Sequence, residues 1–114
     1  MNVDIKRVKI FVTTPKENLT DIRDAVCKAG AGIIGKYTYC TFYSNGVGTF
    51  KPDSNANPYI GEINKLEFVD ECKLEFVCEI EKVSEVLSAL RKAHPYEEPA
   101  IDIIPLIEES NFKI

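Results

Sequence analysis

The sequence predicts an α+β domain of the ferredoxin-like type, in which a split βαβ arrangement (βαββαβ) places two helices on one face of a four-stranded antiparallel sheet. Three observations predict this fold. Alternating apolar residues mark four extended segments, two further segments carry apolar residues at helical spacing, and the order is strand, helix, strand, strand, helix, strand. A chain of 114 residues suits a single domain over residues 1–114, whose core needs no disulfides or structural metal.

The first strand and the first helix follow from the pattern up to residue 30. Apolar and more polar residues alternate over residues 8–12, and Pro15 ends this strand. Apolar residues then recur at helical spacing over residues 19–29, and Gly30 is a natural C-terminal stop. The three glycines of residues 30–35 follow this helix and do not open another one, so we favour a helix cap with close packing over a phosphate cradle.

A second strand is predicted over residues 37–44, with both of its faces covered. If Cys40 and Phe42 point to the helices, Tyr37, Tyr39 and Tyr43 line the far face of the sheet. Such a stripe indicates core or subunit contact, since the basic residues of a nucleic-acid stacking platform are missing. Residues 45–48 (Asn-Gly-Val-Gly) are typical of a turn, which ends the predicted strand.

The second half of the chain supplies the remaining elements. Residues 53–61 are rich in turn formers and predict a long ordered excursion, which in a small domain is usually functional. The alternation over residues 72–80 predicts a half-buried strand antiparallel to its predecessor, and residues 83–93 show the second helical pattern. The last strand covers residues 101–106, where Pro105 indicates an edge position or the strand's end.

Composition and charge exclude several classes of partner. A formal charge of −4 with a pI near 5.0 leaves no broad basic face, which argues against nucleic acid as the main partner. The N-terminal apolar run is too short for a signal peptide or a membrane span, so we expect a cytoplasmic protein that does not contact membranes. The four cysteines lack metal-ligand spacing and are expected to be buried thiols: Cys27, Cys40, Cys72 and Cys78.

The motif His-Pro-Tyr-Glu-Glu-Pro-Ala at residues 94–100 concentrates the candidate chemistry. It contains the only histidine, and its two prolines exclude a helix, so the polar side chains sit on a stiff connector. His94 titrates near neutrality and could act in acid–base chemistry, although a nucleophile such as Cys40 would have to lie within its reach. A structural interpretation stays open, in which His94 caps the second helix and Glu97 and Glu98 bind backbone N–H groups or Lys51.

Three motifs closely resemble the YqfO-like domain, which is inserted in many bacterial Nif-three-like dinuclear-metal-centre proteins, the group often labelled "GTP cyclohydrolase type 2 homolog". They are AGAGIIGKYTYCTF (residues 29–42), NGVGTFKPDSNANPYIGEINKLEFV (residues 45–69) and HPYEEPAIDIIPL (residues 94–106). The resemblance implies a CutA/PII-like homotrimer with inward-facing sheets. An open sheet face that carries Phe11, Val77 and the tyrosines independently favours an oligomer.

The resemblance also bears on catalysis, because it places the metal ligands of the larger proteins in flanking halves that this sequence lacks. Hydrolysis at a two-metal centre is therefore not transferred to this chain, and no enzyme activity is predicted. We expect instead a trimeric small-ligand-binding or regulatory module of unknown specific role. A purely structural domain that docks on a protein partner is a further alternative.

The expected ligand site consists of intersubunit clefts formed by residues 46–48, 57–61 and 94–98. The alternative is an ion-tolerance protein of CutA type, in which His94 and Glu98 hold a divalent metal ion as cofactor with help from carboxylates such as Glu62 or Glu67. The candidate ligand-binding residues are Gly46, Gly48, Asn57, Pro58, Tyr59, His94, Tyr96, Glu97 and Glu98.

Overall fold

The computed structural model of the protein describes residues 3–112; the two terminal residues at each end of the predicted domain lie outside this range. Its strands and α-helices are β1 (Arg7–Pro15), α1 (Leu19–Lys28), β2 (Thr41–Phe50), β3 (Glu67–Glu79), α2 (Val83–Ala93) and β4 (Ile101–Leu106). The strands form one antiparallel sheet in the order β2-β3-β1-β4, which confirms the predicted α+β split βαβ fold. Within residues 3–112, no helix is long and apolar enough to cross a bilayer.

The core lies between one face of the sheet and the two helices. Its strand residues alternate as the sequence predicts: along β3, every second residue from Cys72 to Cys78 is buried. Each large apolar side chain that leaves water stabilises the fold by roughly 1.5–3 kcal/mol, so this layer supplies most of the driving force for folding. Its most deeply buried members are Ile10, Val12, Ile22, Val26, Leu74, Phe76, Val86 and Leu90.

The cysteines are free thiols, and three of the four are buried. Burial is the main cause that raises the pKa of the Cys27 and Cys78 thiols, so both are uncharged at neutral pH. Cys72 is also buried, whereas Cys40 is half-buried and donates a weak hydrogen bond to the Thr38 carbonyl. The prediction of buried thiols is thus confirmed for three cysteines and wrong for Cys40.

Strand β2 differs from its prediction in both position and length. It starts at Thr41 and runs through the predicted turn at residues 45–48, so Gly46 and Gly48 are strand residues. The ten-residue pairing with β3 overrides the local turn preference, because every step of that ladder gains hydrogen bonds. Residues before Thr41 instead form a tight loop, in which Tyr39 takes a positive φ of 57° and Tyr37 forms an isolated bridge with Ile34.

The two faces of β2 are also the reverse of the expected ones. Phe42 pairs in register with Glu75, which places it on the open face of the sheet, whereas Tyr43 pairs with core residue Leu74 on the helix side. Tyr37 lies outside the strand. The predicted stripe of three tyrosines on the open face is therefore wrong, because Tyr43 lies on the helix side and Tyr37 and Tyr39 precede the strand.

The open face and the sheet edges carry both apolar and charged groups. Lys73 Nζ lies 4.8 Å from the centroid of the Phe11 ring, and Lys9 Nζ forms an ion pair of 3.2 Å with Glu75. Phe42 on edge strand β2 is 66% exposed. The opposite edge is β4, where Pro105 lies as the sequence suggested, without an N–H to offer.

Candidate ligand cleft

Two connectors that are far apart in sequence meet at one end of the sheet and form a cleft. The loop of residues 51–66 follows β2, and residues 94–100 lead from α2 into β4. Together with the end of β1 they enclose an open cleft of about 260 Å³. The structure thus brings together two of the three segments predicted to form the site. Its polar and aromatic lining residues are Thr13, Thr49, Phe50, Lys51, Tyr59, Glu71, Tyr96, Glu97 and Glu98, with Pro58 among the apolar ones.

His94 joins the end of α2 to strand β1. Its backbone N–H donates to the Leu90 carbonyl at 2.9 Å and closes the helix. The ring nitrogen Nδ1 accepts the N–H of Tyr96 at 3.1 Å, so Nε2 carries the proton and donates to the Thr13 carbonyl at 2.8 Å. Both ring nitrogens are engaged and the side chain is buried, which fixes the start of the connector beside the cleft.

Tyr96 and Glu71 form the most buried polar contact at the cleft. The Tyr96 hydroxyl donates to Glu71 Oε2 at 2.7 Å, and Glu71 is only 8% exposed. Burial, followed by this hydrogen bond, raises the pKa of the Tyr96 hydroxyl, which therefore stays protonated at every physiological pH. The bond ties the connector after α2 to the third strand.

A second bond joins the two connectors directly. Glu97 Oε1 accepts the backbone N–H of Asn57 at 3.0 Å, so the residues 57–61 and 94–98 hold each other in place. Glu98 lines the same cleft and is exposed. Of the predicted ligand residues, Pro58, Tyr59, Tyr96, Glu97 and Glu98 line the cleft, whereas Asn57 and His94 are not among its lining residues.

Gly46 and Gly48 border a neighbouring depression, which shares Thr13 and Glu71 with the cleft. Gly46 lies directly opposite Glu71 in the β2–β3 register. A Cβ atom on Gly48 would overlap Glu71 Oε1 and lie 2.7 Å from its Cδ, whereas a Cβ on Gly46 would meet nothing within 4 Å. Gly48 is therefore the residue whose missing side chain lets the buried carboxylate lie against β2.

Three aromatic rings surround the cleft with Tyr96 at the centre. Its ring centroid lies 6.0 Å from that of Phe50 and 6.4 Å from that of Tyr59, with interplanar angles of 55° and 53°. The His94 ring packs on Tyr96 at 5.0 Å. Tilted contacts at these distances stabilise ring clusters.

The carboxylates proposed as additional metal ligands lie apart from His94. Glu62 Oε2 pairs with Lys65 at 2.9 Å on the exposed loop, and the side chain of Glu67 packs beside Gly61. Within residues 3–112, no three side chains of histidine, cysteine, aspartate or glutamate converge on one point. A metal at His94 would have to displace Thr13 or Tyr96 from the ring, and the metal alternative stays a prediction.

The sequence reasoning missed Glu71, Thr13 and Phe50. Glu71 belongs to the charged, solvent-facing alternation of β3, where a buried carboxylate has no sequence signature of its own. The available signal was the pair Gly46 and Gly48, since two glycines on one strand leave room for a neighbouring side chain. That signal was assigned to a turn.

The burial of His94 predicts a pH-dependent stability. Burial is the main cause that lowers the pKa of His94 below its usual value of about 6.5. At pH values between the lowered pKa of His94 in the folded protein and its ordinary pKa in the unfolded chain, the unfolded chain binds more protons. The free energy of unfolding therefore rises with pH and reaches its full value above about pH 6.5. Urea unfolding of the wild type should therefore show a loss of stability below about pH 6.5 that His94→Gln lacks. Equal pH slopes for the two proteins would contradict a neutral buried imidazole.

The chain was compared with known proteins by sequence and by fold. No protein-family model matches it. It is 48% identical over 101 residues to a protein of Halalkalibacterium halodurans named GTP cyclohydrolase 1 type 2 homolog, covering 89% of this chain and 27% of that protein. The chain spans about a quarter of the length of the curated relatives it matches.

Solved structures share the fold. A Bacillus cereus protein related to NIF3 superposes with a TM-score of 0.78 and 36% identity, over 93% of this chain and 27% of that one. CutA from Synechococcus elongatus gives 0.67 and 13% identity, over 93% and 81% of the two chains. The GlnK–ATP complex of Bacillus subtilis gives 0.60 and 13%, over 89% and 82%. The protein therefore has a CutA/PII-like fold, and most of its length is homologous to about a quarter of the length of the GTP cyclohydrolase 1 type 2 homologs.

Proposed function

We propose that the protein is a trimeric, non-catalytic module that binds a small ligand in the cleft between residues 51–66 and 94–100. The observation that carries the proposal is that the cleft is built in advance. The Asn57–Glu97 and Tyr96–Glu71 hydrogen bonds hold its two walls together, and aromatic rings line it. Concave, partly apolar sites with a few fixed polar groups are where proteins bind small molecules.

The trimer is supported by the apolar surface that the single chain leaves in water. Phe42 is about two-thirds exposed on the open sheet face, which it shares with Phe11 and Val77. Val47 and Phe68 are equally exposed but lie on the helix side of the sheet, so they do not belong to this patch. Large exposed apolar patches mark interaction surfaces. In the proposed trimer the open faces meet, and the cleft lies at the boundary between subunits, where a partner completes its open side.

The non-catalytic role is supported by the chemistry around the only histidine. Both nitrogens of His94 are occupied by Thr13 and Tyr96, so the ring has no lone pair free for a substrate proton. Cys40, the nucleophile considered from sequence, bonds to Thr38 and does not line the cleft. We assign any cyclohydrolase activity of the longer relatives to the three-quarters of their length outside this domain. The free thiols favour a cytoplasmic location.

Native mass spectrometry of protein purified without chelator tests this function. We expect a trimer, and additional mass on it would be the retained ligand. The variant Phe42→Asp puts a charge on the open face and should shift the population to monomer. Ser88→Asp on the solvent side of α2 is the matched control and should remain trimeric. A wild-type protein that is monomeric at micromolar concentration would contradict the intersubunit cleft.

A further inference from the structure

We propose that the cleft selects an organic cation, a small ligand with an amine or quaternary ammonium group, and rejects anionic ligands such as nucleotides. This inference rests on the proposed function, because it names the ligand class of the same cleft. Two independent observations carry it, the aromatic lining and the excess of unpaired carboxylates.

The aromatic lining offers ring faces to a positive charge. Phe50, Tyr59 and Tyr96 all line the cleft. The ring centroid of Tyr96 lies 6.0 Å from that of Phe50 and 6.4 Å from that of Tyr59. A cation within about 6 Å of a ring centroid is attracted by the negative ring face, and the attraction grows when water is excluded. Quaternary ammonium groups are recognised in this way because their charge is spread over methyl groups that also bury apolar surface.

The charged side chains that line the cleft also favour a cationic ligand. Its ionisable lining consists of three carboxylates, Glu71, Glu97 and Glu98, against one cation, Lys51, besides two tyrosines. Four ion pairs occur within residues 3–112, and none of them includes these carboxylates. Among the residues that the structure describes, Glu71 receives only the hydroxyl of Tyr96, and Glu97 only the backbone N–H of Asn57. An incoming cation would meet uncompensated negative charge, whereas a phosphate would meet repulsion.

The position of the Glu71 carboxylate, which Gly48 makes possible, also favours a cationic ligand. Gly48 lets the Glu71 carboxylate lie against β2, so this charge borders both the cleft and the adjacent depression. Glu71 Oε2 is used by Tyr96, and no hydrogen bond to Oε1 is found among residues 3–112. Oε1 is not fully buried, so a ligand in the cleft can reach it with an N–H or N–CH₃ group.

The test uses choline and its neutral isostere 3,3-dimethylbutan-1-ol, which differ in charge and hardly in shape. Binding to the ¹⁵N-labelled full chain in its native assembly is followed by NMR titration. We expect choline to shift the amide signals of residues 57–61 and 94–98, with an affinity about tenfold or more above that of the neutral alcohol. Tyr59→Leu, which removes a ring and keeps apolar bulk, should weaken choline binding about tenfold. Tyr37→Leu, outside the cleft, should leave it unchanged.

The remaining outcomes separate the inference from the proposed function. Equal binding of choline and the alcohol would overturn the cation preference and leave the cleft a ligand site. The same is true if ATP or inorganic phosphate shifts these signals and choline does not. If no probe, choline included, shifts them at high millimolar concentration, the inference is wrong. The native mass spectrum then tests the proposed function: retained mass on the trimer supports it, and a trimer without additional mass contradicts it.

Discussion

Replacing Tyr96 by phenylalanine should lower the free energy of unfolding by about 2 kcal/mol, because the buried Glu71 carboxylate loses its donor. Hydrogen bonds to charged groups contribute about 1.5–3 kcal/mol, and an orphaned buried charge carries its full desolvation cost. The ring itself stays, so its contacts with Phe50 and Tyr59 persist. Urea denaturation monitored by circular dichroism measures the difference, and an unchanged m-value shows that the unfolded state is unaffected.

A double variant and a matched control separate this hydrogen bond from other effects. Adding Glu71→Met to Tyr96→Phe removes the unpaired charge and keeps a side chain of similar length at position 71. The double variant should therefore regain at least half of the lost stability. Tyr59→Phe removes the hydroxyl of an aromatic residue in the same cleft that is 56% exposed, and its effect should stay within about 0.5 kcal/mol. Equal losses for the two Tyr→Phe variants would contradict the importance of the Glu71 bond.

The variant Gly48→Ala should lose about 1–3 kcal/mol of stability, the usual range for forcing extra atoms into a packed site. The new Cβ would overlap Glu71 Oε1, so the Glu71 side chain has to shift, and its hydrogen bond to Tyr96 opposes that shift. Gly46→Ala is the control, since its Cβ meets nothing within 4 Å. It should be neutral or slightly stabilising because alanine restricts the unfolded chain.

Thermal unfolding of the two alanine variants distinguishes this explanation from a general strand effect. Both glycines lie in β2 with ordinary backbone angles, so any loss that came from strand propensity would appear in both proteins. A loss confined to Gly48→Ala, absent when Glu71 is also changed to Ala, assigns the cost to the carboxylate. Similar melting temperatures for all of these proteins would show that Glu71 has room elsewhere.

The sequence predicted those parts of the fold whose periodicity and core contacts agree. Strand β3 and helix α2 have regular apolar spacing and face one core. Helix α2 lies where the pattern placed it, whereas β3 contains the predicted residues up to Glu79 but begins at Glu67 instead of residue 72. Strand β2 has neither property: most of it is exposed, and its Asn-Gly-Val-Gly segment prefers a turn when considered alone. Only the partner strand, distant in sequence, decides its register, and a local pattern contains no information about that partner.

The candidate site was also predictable from the sequence only in part. The connectors were predictable because prolines and clustered polar residues mark them, and the structure does bring Asn57 and Glu97 into contact. Glu71 has only the indirect signal of the two β2 glycines, because its burial results from Tyr96 folding back over the sheet and from Gly48 making room. Each of these residues is ordinary in its own segment. Their relation exists only after the sheet has formed.

The proline on strand β4 has a consequence for how the molecule avoids uncontrolled aggregation. An edge strand that exposes unpaired N–H and C=O groups is a template for adding further strands without end. Pro105 removes one donor from the six-residue β4 edge, whereas the ten-residue β2 edge keeps all of its donors. The β4 edge is therefore the poorer template of the two. A fibril that grows by edge pairing uses both edges of every molecule, so the missing donor weakens each contact along it.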